Sequence, residues 1–313
     1  MSFATVPGRA MKAVDISVTP VLAGGAASAA GKLPRSVLVG LIGTGIQASR
    51  SPALHEREGA AQNLRYIYKI IDLDTLSLTP AALPDLIAAA RRFGFAGLNV
   101  THPCKQSVIP LLDDLSPDAR ALGAVNTVVF AADGRAVGHN TDWSGFAESF
   151  RRGLGDARRN YVVQFGAGGA GAAVAHALLT LEVGGLSIVD TDRARAERLA
   201  QDLCGRFGPG CAVAVDDPAR AVRAADGIVN ATPVGMTKYP GMSVARELLR
   251  PDLWVADIVY LPLETELLRR ARALGCRTLS GGGMAVFQAA DAFRLFTGIA
   301  PDPARMIRHF ESM

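Results

Sequence analysis

Val162-Val163-Gln164-Phe165-Gly166-Ala167-Gly168-Gly169-Ala170-Gly171 is the stretch that decides the architecture. An apolar strand runs directly into a Gly-x-Gly-x-x-Gly turn. An Ala-rich helix follows over residues 172–180, and a second strand, Leu186-Ser187-Ile188-Val189, closes on Asp190. This order is that of a dinucleotide cradle. Gly166 permits the tight turn, Gly168 lets the backbone approach a pyrophosphate, and Gly171 lets helix and strand pack closely. The free N–H groups and the positive dipole end of that helix then face the phosphates. A glycine fingerprint alone is weak evidence; the strand before it, the helix after it and the acid beyond make it specific. The acid also selects the dinucleotide. A carboxylate at the end of the second strand accepts the ribose hydroxyl protons and repels a 2′-phosphate, so NAD is expected. NADP is the less favoured alternative, with Arg193 and Arg195 as phosphate partners.

Bulk composition narrows the remaining classes. The 313 residues fit one large or two ordinary domains, and 49% hydrophobic with 20% charged residues is the composition of a globular protein. The net charge of +4 is not gathered into a basic run, which argues against a nucleic-acid surface and for a mildly basic site taking an anionic ligand. Cys104, Cys204, Cys211 and Cys276 have no metal-type spacing, so reduced thiols, a cytoplasmic location and no metal are expected. No apolar run approaches the ~18 residues of a membrane span. Residues 1–34, rich in Ala, Gly and Ser, read as a flexible leader with one short strand conceivable over 13–18.

Elsewhere strands alternate with helices. Residues 36–43 read as a buried strand. Ser51 is expected to cap a helix with Pro52 at its first position. Further strands are expected over 65–71, 97–101 and 124–130, with helices over 83–93 and 103–112. Asp133-Gly134 turns a hairpin into residues 135–140. A helix over 142–153 leads into the dinucleotide half. That half continues through strands at 211–215, 227–230, 253–258 and 278–279 and helices at 218–225 and 264–274. Two last helices, 285–296 and 302–310, have no strand between them and are expected to pack back across the first half. The expected fold class is α/β with two domains. Residues 35–141 plus 285–313 form a substrate-binding domain, and 142–284 form a Rossmann-type doubly wound domain. The site belongs in the cleft between them, at the carboxyl ends of the strands.

Polar residues cluster at the strand ends of the first half. They are Asn99 and Thr101 with Lys105 just after, Asn126-Thr127, Asn140-Thr141-Asp142, and Ser49 and Ser51 bracketing Arg50. Hydroxyls, amides, one amine and one carboxylate suit a small polyhydroxylated substrate bearing a carboxylate. Singly, each has a plainer reading: Ser51 and Asp142 as helix caps, Asn126 and Asn140 as turn formers, Lys105 as a solvated charge.

Together the pattern resembles the shikimate/quinate dehydrogenase family, from about Leu38 to Met306. The motifs that carry the resemblance are Ser49-Arg50-Ser51-Pro52, Gly97-Leu98-Asn99-Val100-Thr101-His102-Pro103-Cys104-Lys105, Gly123-Ala124-Val125-Asn126-Thr127 and Asn140-Thr141-Asp142. They continue through the glycine turn, Asn230-Ala231-Thr232-Pro233-Val234-Gly235-Met236 and Gln288-Ala289-Ala290-Asp291-Ala292-Phe293. The resemblance implies a lysine and an aspartate flanking the hydroxyl being oxidised, here Lys105 and Asp142, with either able to handle the proton. It implies that Ser49 and Ser51 bind the substrate carboxylate, that Asn99, Thr101, Asn126 and Gln288 place the ring and hydroxyls, and that Tyr260 lies near the ring. It places Thr232, Met236, Val259, Gly283 and Met284 around the nicotinamide, and Gly166, Ala167, Gly168, Gly169, Ala170, Gly171 and Asp190 around the rest of the dinucleotide. The implied reaction is reversible hydride transfer between the C3 hydroxyl of shikimate and NAD, in a monomer or homodimer.

Biosynthetic members of that family carry an Asn-Arg-Thr-like strand end and use NADP, whereas this chain has Asp190-Thr191-Asp192. It is similar there to the NAD-using quinate/shikimate branch, as it is over Tyr260-Leu261-Pro262-Leu263-Glu264. Two positions depart from that branch, Ser51 in place of threonine and Phe287 in place of a nearby histidine. A phenyl ring removes a partner for the extra hydroxyl of quinate, so shikimate is expected to be preferred. The alternatives are an NADP-dependent biosynthetic shikimate dehydrogenase, an enzyme for an amino-substituted shikimate, and a non-catalytic sensor of NAD and a cyclic acid. His102, His139 and Cys104, beside the site, are expected to be structural.

Overall fold

The structure, a computed structural model, describes residues 34–313. The leader and the strand conceived over 13–18 lie outside the described residues. Two six-stranded sheets organise the rest. In the first, β1 (Ser36–Gly43) lies between β2 (Arg65–Asp72) and β3 (Gly97–Val100), parallel to both. Beyond β3 come β4 (Asp114–Leu115), β5 (Thr127–Phe130) and β6 (Ala136–His139). β5 runs antiparallel to β3 and to β6, and β4 closes the edge beside β6, giving the order β2-β1-β3-β5-β6-β4. The hairpin between β5 and β6 turns at Gly134, whose φ of +85° suits glycine.

The second sheet contains β7 (Val162–Phe165), β8 (Leu186–Val189), β9 (Ala212–Ala214), β10 (Gly227–Asn230), β11 (Trp254–Asp257) and β12 (Arg277–Ser280). All are parallel, in the order β12-β11-β10-β7-β8-β9. The chain leaves β7 toward one edge, then returns to β10 and proceeds toward the other. This reversal opens a crevice outside the carboxyl ends of β7 and β10, the place where doubly wound sheets take their ligands. All four residues of β7, β10 and β11 are buried, as expected for strands covered on both faces.

Helices cover the sheets. In the first lobe these are α1 (Ser51–Ala61), α2 (Leu83–Arg92), α3 (Cys104–Ser107) and α4 (Pro117–Leu122). In the second they are α6 (Gly169–Thr180), α7 (Arg193–Phe207), α8 (Pro218–Ala224) and α9 (Glu266–Ala273), with α5 (Asp142–Leu154) entering from the first lobe. α10 (Gly281–Thr297) and α11 (Pro303–Glu311) return the chain. Ala292, Phe293 and Phe296 of α10 share a core with Val37, Val39, Leu41, Tyr66 and Tyr68, while Phe310 of α11 packs with Leu54 of α1. The last two helices therefore cover the first sheet, as their lack of an intervening strand implies. Each fully buried Phe or Leu there contributes about 1.5–3 kcal/mol.

Three local expectations need correction. Ser51 is the first helical residue rather than the cap: Arg50, with near-helical dihedrals of −82° and −7°, takes that place without a side-chain bond. The helix expected over 103–112 is the single turn α3 followed by a 3-10 turn over Ile109–Leu111. Pro110 has no N–H to continue the α-helical ladder. The Asp114–Leu115 strand and the α4 helix lie where no element was expected. α4 nevertheless has a capping Ser116, whose Oγ accepts from Ala119 N, and a Gly123 terminator at φ +60°.

Candidate active site

Lys105 follows β3 by one turn, and Asp142 opens α5 after β6. Lys105 Nζ donates to Asp142 Oδ2 at 2.5 Å, with side-chain exposures of 20% and 11%. Asp142 is not the helix cap; that position belongs to Thr141. Its other oxygen, Oδ1, accepts from Asn126 Nδ2 at 2.9 Å, and its N–H donates to Asn140 Oδ1 at 3.0 Å. Asn126 is itself locked: its Oδ1 accepts from Thr141 N at 2.8 Å and from Thr127 Oγ1 at 3.0 Å. Asn140 Nδ2 donates to Ala124 O at 3.0 Å, and Lys105 O accepts from Val125 N at 2.9 Å. Three chain segments thus hold one ammonium and one carboxylate together. Such a charge-assisted pair is stronger than a neutral hydrogen bond.

Asn99 lies deeper in the same lobe. Its Nδ2 donates to Thr127 Oγ1 at 3.0 Å and to Asn126 O at 3.3 Å, and its Oδ1 accepts from the Tyr68 hydroxyl at 2.7 Å. Tyr68 also reaches the Ser51 side chain, and burial holds its hydroxyl well above the ordinary phenol range. Ser49 and Ser51 are joined by a bond from Ser51 N to Ser49 Oγ at 3.3 Å, both half-buried. Thr101 is half-buried at the end of β3, its methyl packed where Gly43 leaves room. Tyr260 follows β11; burial first, then the negative charge of Asp142, push its pKa up, while Arg50 opposes them. Residues from both sheets therefore converge near Asp142. Gln288 presents its backbone to Gly145 of α5, and its Nε2 donates to Ala285 O at 2.9 Å.

The glycine turn shows which of its members are required by packing. A Cβ on Gly166 would stand 2.5 Å from Ala231 O, and φ there is +101°; a Cβ on Gly171 would collide with Gly166 O. A side chain at Gly168 or Gly169 would meet no atom of the described residues within 4 Å. α6 begins with Gly168 at its N-cap and no side-chain cap, so its first N–H groups have no side-chain acceptor there. Ala167 N donates to Asp190 Oδ2 at 2.7 Å and Asp192 N to Asp190 Oδ1 at 2.9 Å, which fixes the carboxylate beside the turn. Arg195 Nη1 stands 3.7 Å from Asp190 Oδ1, on the first turn of α7 with Arg193. Ala170 lies in the first turn of α6. The cradle, with space left at Gly168, fits a dinucleotide pyrophosphate.

On the other side of the crevice, Asn230 and Asp257 end β10 and β11. Asn230 Nδ2 donates to Asp257 Oδ1 at 2.9 Å, while its Oδ1 accepts from Thr232 Oγ1 at 2.6 Å. Asp257 also accepts from Val259 N at 3.0 Å and Thr265 Oγ1 at 2.7 Å, and burial raises its pKa. Thr232 and Val259 are thus both set by one buried carboxylate. Met236 is 39% exposed, and Met284 is buried. Gly283 stands against Ser149 Oγ, where a Cβ would collide, so helix packing already accounts for it.

Phe287 packs toward α5. Its ring lies beneath the Arg152 guanidinium, 4.8 Å from the centroid, and lines a cavity of about 330 Å³ with Ser144, Glu148, Arg151 and Asp291. The ring is thus held against α5. Tyr68 and Asp257 are the residues the sequence reading missed. The alternation of buried and exposed positions in β2 turns Tyr68 inward, but nothing local shows that Asn99 receives it. Cys104 is buried in the core of the first lobe.

The model of the family described as the shikimate dehydrogenase substrate binding domain matches residues 41–128. A protein of Streptomyces avermitilis named shikimate dehydrogenase (NADP(+)) is 64% identical over 87% of this chain and 94% of its own. One of Corynebacterium efficiens named quinate/shikimate dehydrogenase (NAD(+)) is 51% identical over 89% of this chain and 99% of its own. The solved structure of quinate dehydrogenase from Corynebacterium glutamicum in complex with NAD superposes with a TM-score of 0.83 at 50% identity, covering 89% of this chain and 100% of that one. With motifs, fold and relatives in agreement over nearly the whole described length, this chain belongs to the shikimate/quinate dehydrogenase family.

Proposed function

We propose that the protein interconverts shikimate and 3-dehydroshikimate by hydride transfer at the ring C3 carbon, with NAD as the preferred acceptor. The observation that carries this reading is the Lys105–Asp142 pair, held by Asn126 and Asn140 beside residues from the ends of the second sheet. NAD, when bound, supplies the hydride acceptor. Lys105 Nζ and the Asp142 carboxylate flank the substrate hydroxyl, and the pair receives its proton as the carbon is oxidised. The ammonium also stabilises the developing alkoxide charge. Asn126 keeps the carboxylate aimed by holding its second oxygen. Ser49 and Ser51 bind the substrate carboxylate, and Asn99, Thr101, Asn126, Tyr260 and Gln288 place the ring. Gly166 through Gly171 cradle the pyrophosphate, and Thr232, Met236, Val259, Gly283 and Met284 border the nicotinamide. In this reading residues 35–141 and 285–313 form the substrate lobe and 142–284 the nucleotide lobe.

The preference for NAD rests on Asp190. Its carboxylate is fixed by two backbone N–H groups at the end of β8, where a 2′-phosphate would meet negative charge. The second reading, NADP, is favoured by Arg195 at 3.7 Å from Asp190 and by the name of the Streptomyces relative. Initial rates with shikimate and quinate, each with NAD and NADP, test the whole proposal. The expected result is turnover of shikimate with a higher kcat/KM for NAD. A much higher value for NADP overturns the reading of Asp190, and absence of turnover with every combination overturns the function.

A further inference from the structure

Away from the crevice, two thiols meet at the outer edge of the second sheet. Cys204 lies near the end of α7, and Cys211 leads into the edge strand β9. Between them Gly208-Pro209-Gly210 reverses the chain, with φ of +107° and +79° at the two glycines. The reversal lays Cys211 back on the helix it has left. The sulfurs stand 3.9 Å apart, both residues are half-buried, and Cys204 Sγ donates to Ala212 O at 3.3 Å. Cys104 and Cys276 are buried and have no such neighbour.

We propose that Cys204 and Cys211 form a reversible dithiol–disulfide site oxidised by hydroperoxides. The Cys204 thiolate attacks one peroxide oxygen and the O–O bond breaks, leaving a sulfenic acid on Cys204 and releasing hydroxide, which takes up a proton. The Cys211 sulfur then attacks Cys204 Sγ, the S–S bond forms, and the sulfenic oxygen leaves as water with the Cys211 proton. Two thiols and one hydrogen peroxide yield one disulfide and two waters. The sulfurs must approach to about 2.05 Å, a movement of under 2 Å that a Gly-Pro-Gly turn at the sheet edge accommodates.

The two thiols are hydrogen-bonded to each other, Cys211 Sγ donating to Cys204 Sγ. Burial pushes Cys204 up, but backbone groups of Ala212 and Gly210 together with Cys211 bring it below the ordinary thiol value. Burial and then Cys204 itself push Cys211 above that value, with Arg206 opposing. Cys204, which accepts the hydrogen bond from Cys211, is the attacking thiol, and its neighbour resolves the sulfenic acid. α7 ends and β9 begins on the side of the sheet opposite the strand carboxyl ends, so the bond leaves the crevice unaltered.

Folded protein treated with hydrogen peroxide, then alkylated in denaturant and digested with trypsin, tests the site. Cleavage after Arg206 separates the two cysteines, so a disulfide appears as two linked peptides. The expected result is loss of two of the four thiols, the Cys204–Cys211 link, and its reversal by dithiothreitol, with dehydrogenase activity unchanged. In Cys211→Ser, Cys204 is expected to accumulate as a sulfenic acid captured by dimedone. Full alkylation of all four thiols after peroxide, links between molecules instead of within one, or direct passage of wild-type Cys204 to sulfinic acid overturns the proposal. The wild-type mapping decides even if the variant fails to fold, and none of these outcomes bears on the dehydrogenase reading.

Discussion

Lys105 and Tyr68 show two kinds of residue in this site. Lys105 stands in a short motif with Asn99 and Thr101, so the role proposed for it is readable from neighbours in the chain. Its replacement by methionine keeps the length and apolar stem but removes the charge facing Asp142. We expect kcat on shikimate to fall by about 10²–10⁴-fold with NAD binding unchanged, measured by steady-state rates and by fluorescence titration of the cofactor. An unchanged kcat refutes the assignment. Tyr68 touches the proposed site through Asn99 Oδ1 and Ser51. Tyr68→Phe leaves a buried amide oxygen without its donor, a loss of ~1–3 kcal/mol. It is expected to raise KM for shikimate about tenfold, with KM for NAD unaffected; equal changes in both constants indicate a general structural effect instead.

Among the elements, the β7–α6 turn is the one whose sequence and structure correspond most directly, because every part of it is contiguous. Gly171→Ala places a methyl group against Gly166 O, and only movement of α6 away from β7 relieves it. We expect a destabilisation of ~1–3 kcal/mol and a weakened affinity for NAD. Urea denaturation and cofactor titration measure the two effects; wild-type values for both contradict the packing argument. Elements whose existence depends on distant partners were not readable. The Asp114–Leu115 strand has too few residues for any periodicity and exists because it pairs with Val137 and Gly138. The break after α3 was present in the chain at Pro110, but a run of apolar residues around it read as one helix.

At the scale of the molecule, α5 and α10 join the two lobes by direct packing. A Cβ on Gly145 of α5 would stand 2.7 Å from Gln288 N and 2.8 Å from Met284 O, so the helices touch backbone to backbone there. Stability of the whole also carries a pH dependence set by His55. This histidine is fully buried among Tyr66, Tyr68, Phe293 and Phe296, with Nδ1 3.1 Å from the Tyr66 hydroxyl. Burial lowers its pKa from 6.5 to about 3. The unfolded chain binds this proton more readily, so the native state is fully favoured above pH 6.5 and loses stability as pH falls toward 3. The loss across that window is on the order of 4 kcal/mol. His55→Leu is expected to flatten the difference between urea midpoints at pH 7 and pH 4. An unchanged difference removes His55 as its source.

What the sequence by itself determined is what contiguous residues encode: the strand–glycine–helix cradle ending on Asp190, the alternation of strands and helices, and the motifs that bear Lys105 and Asp142. These depend on backbone conformation and spacing along the chain, and a short window holds all the information. What only the tertiary structure decided is which groups share a hydrogen bond across elements. Tyr68 meets Asn99, Asp257 organises both Thr232 and Val259, and Phe287 lies beneath the Arg152 guanidinium. A side chain's direction at a strand or helix position follows from the packing of surfaces far apart in sequence, and no local pattern carries that information.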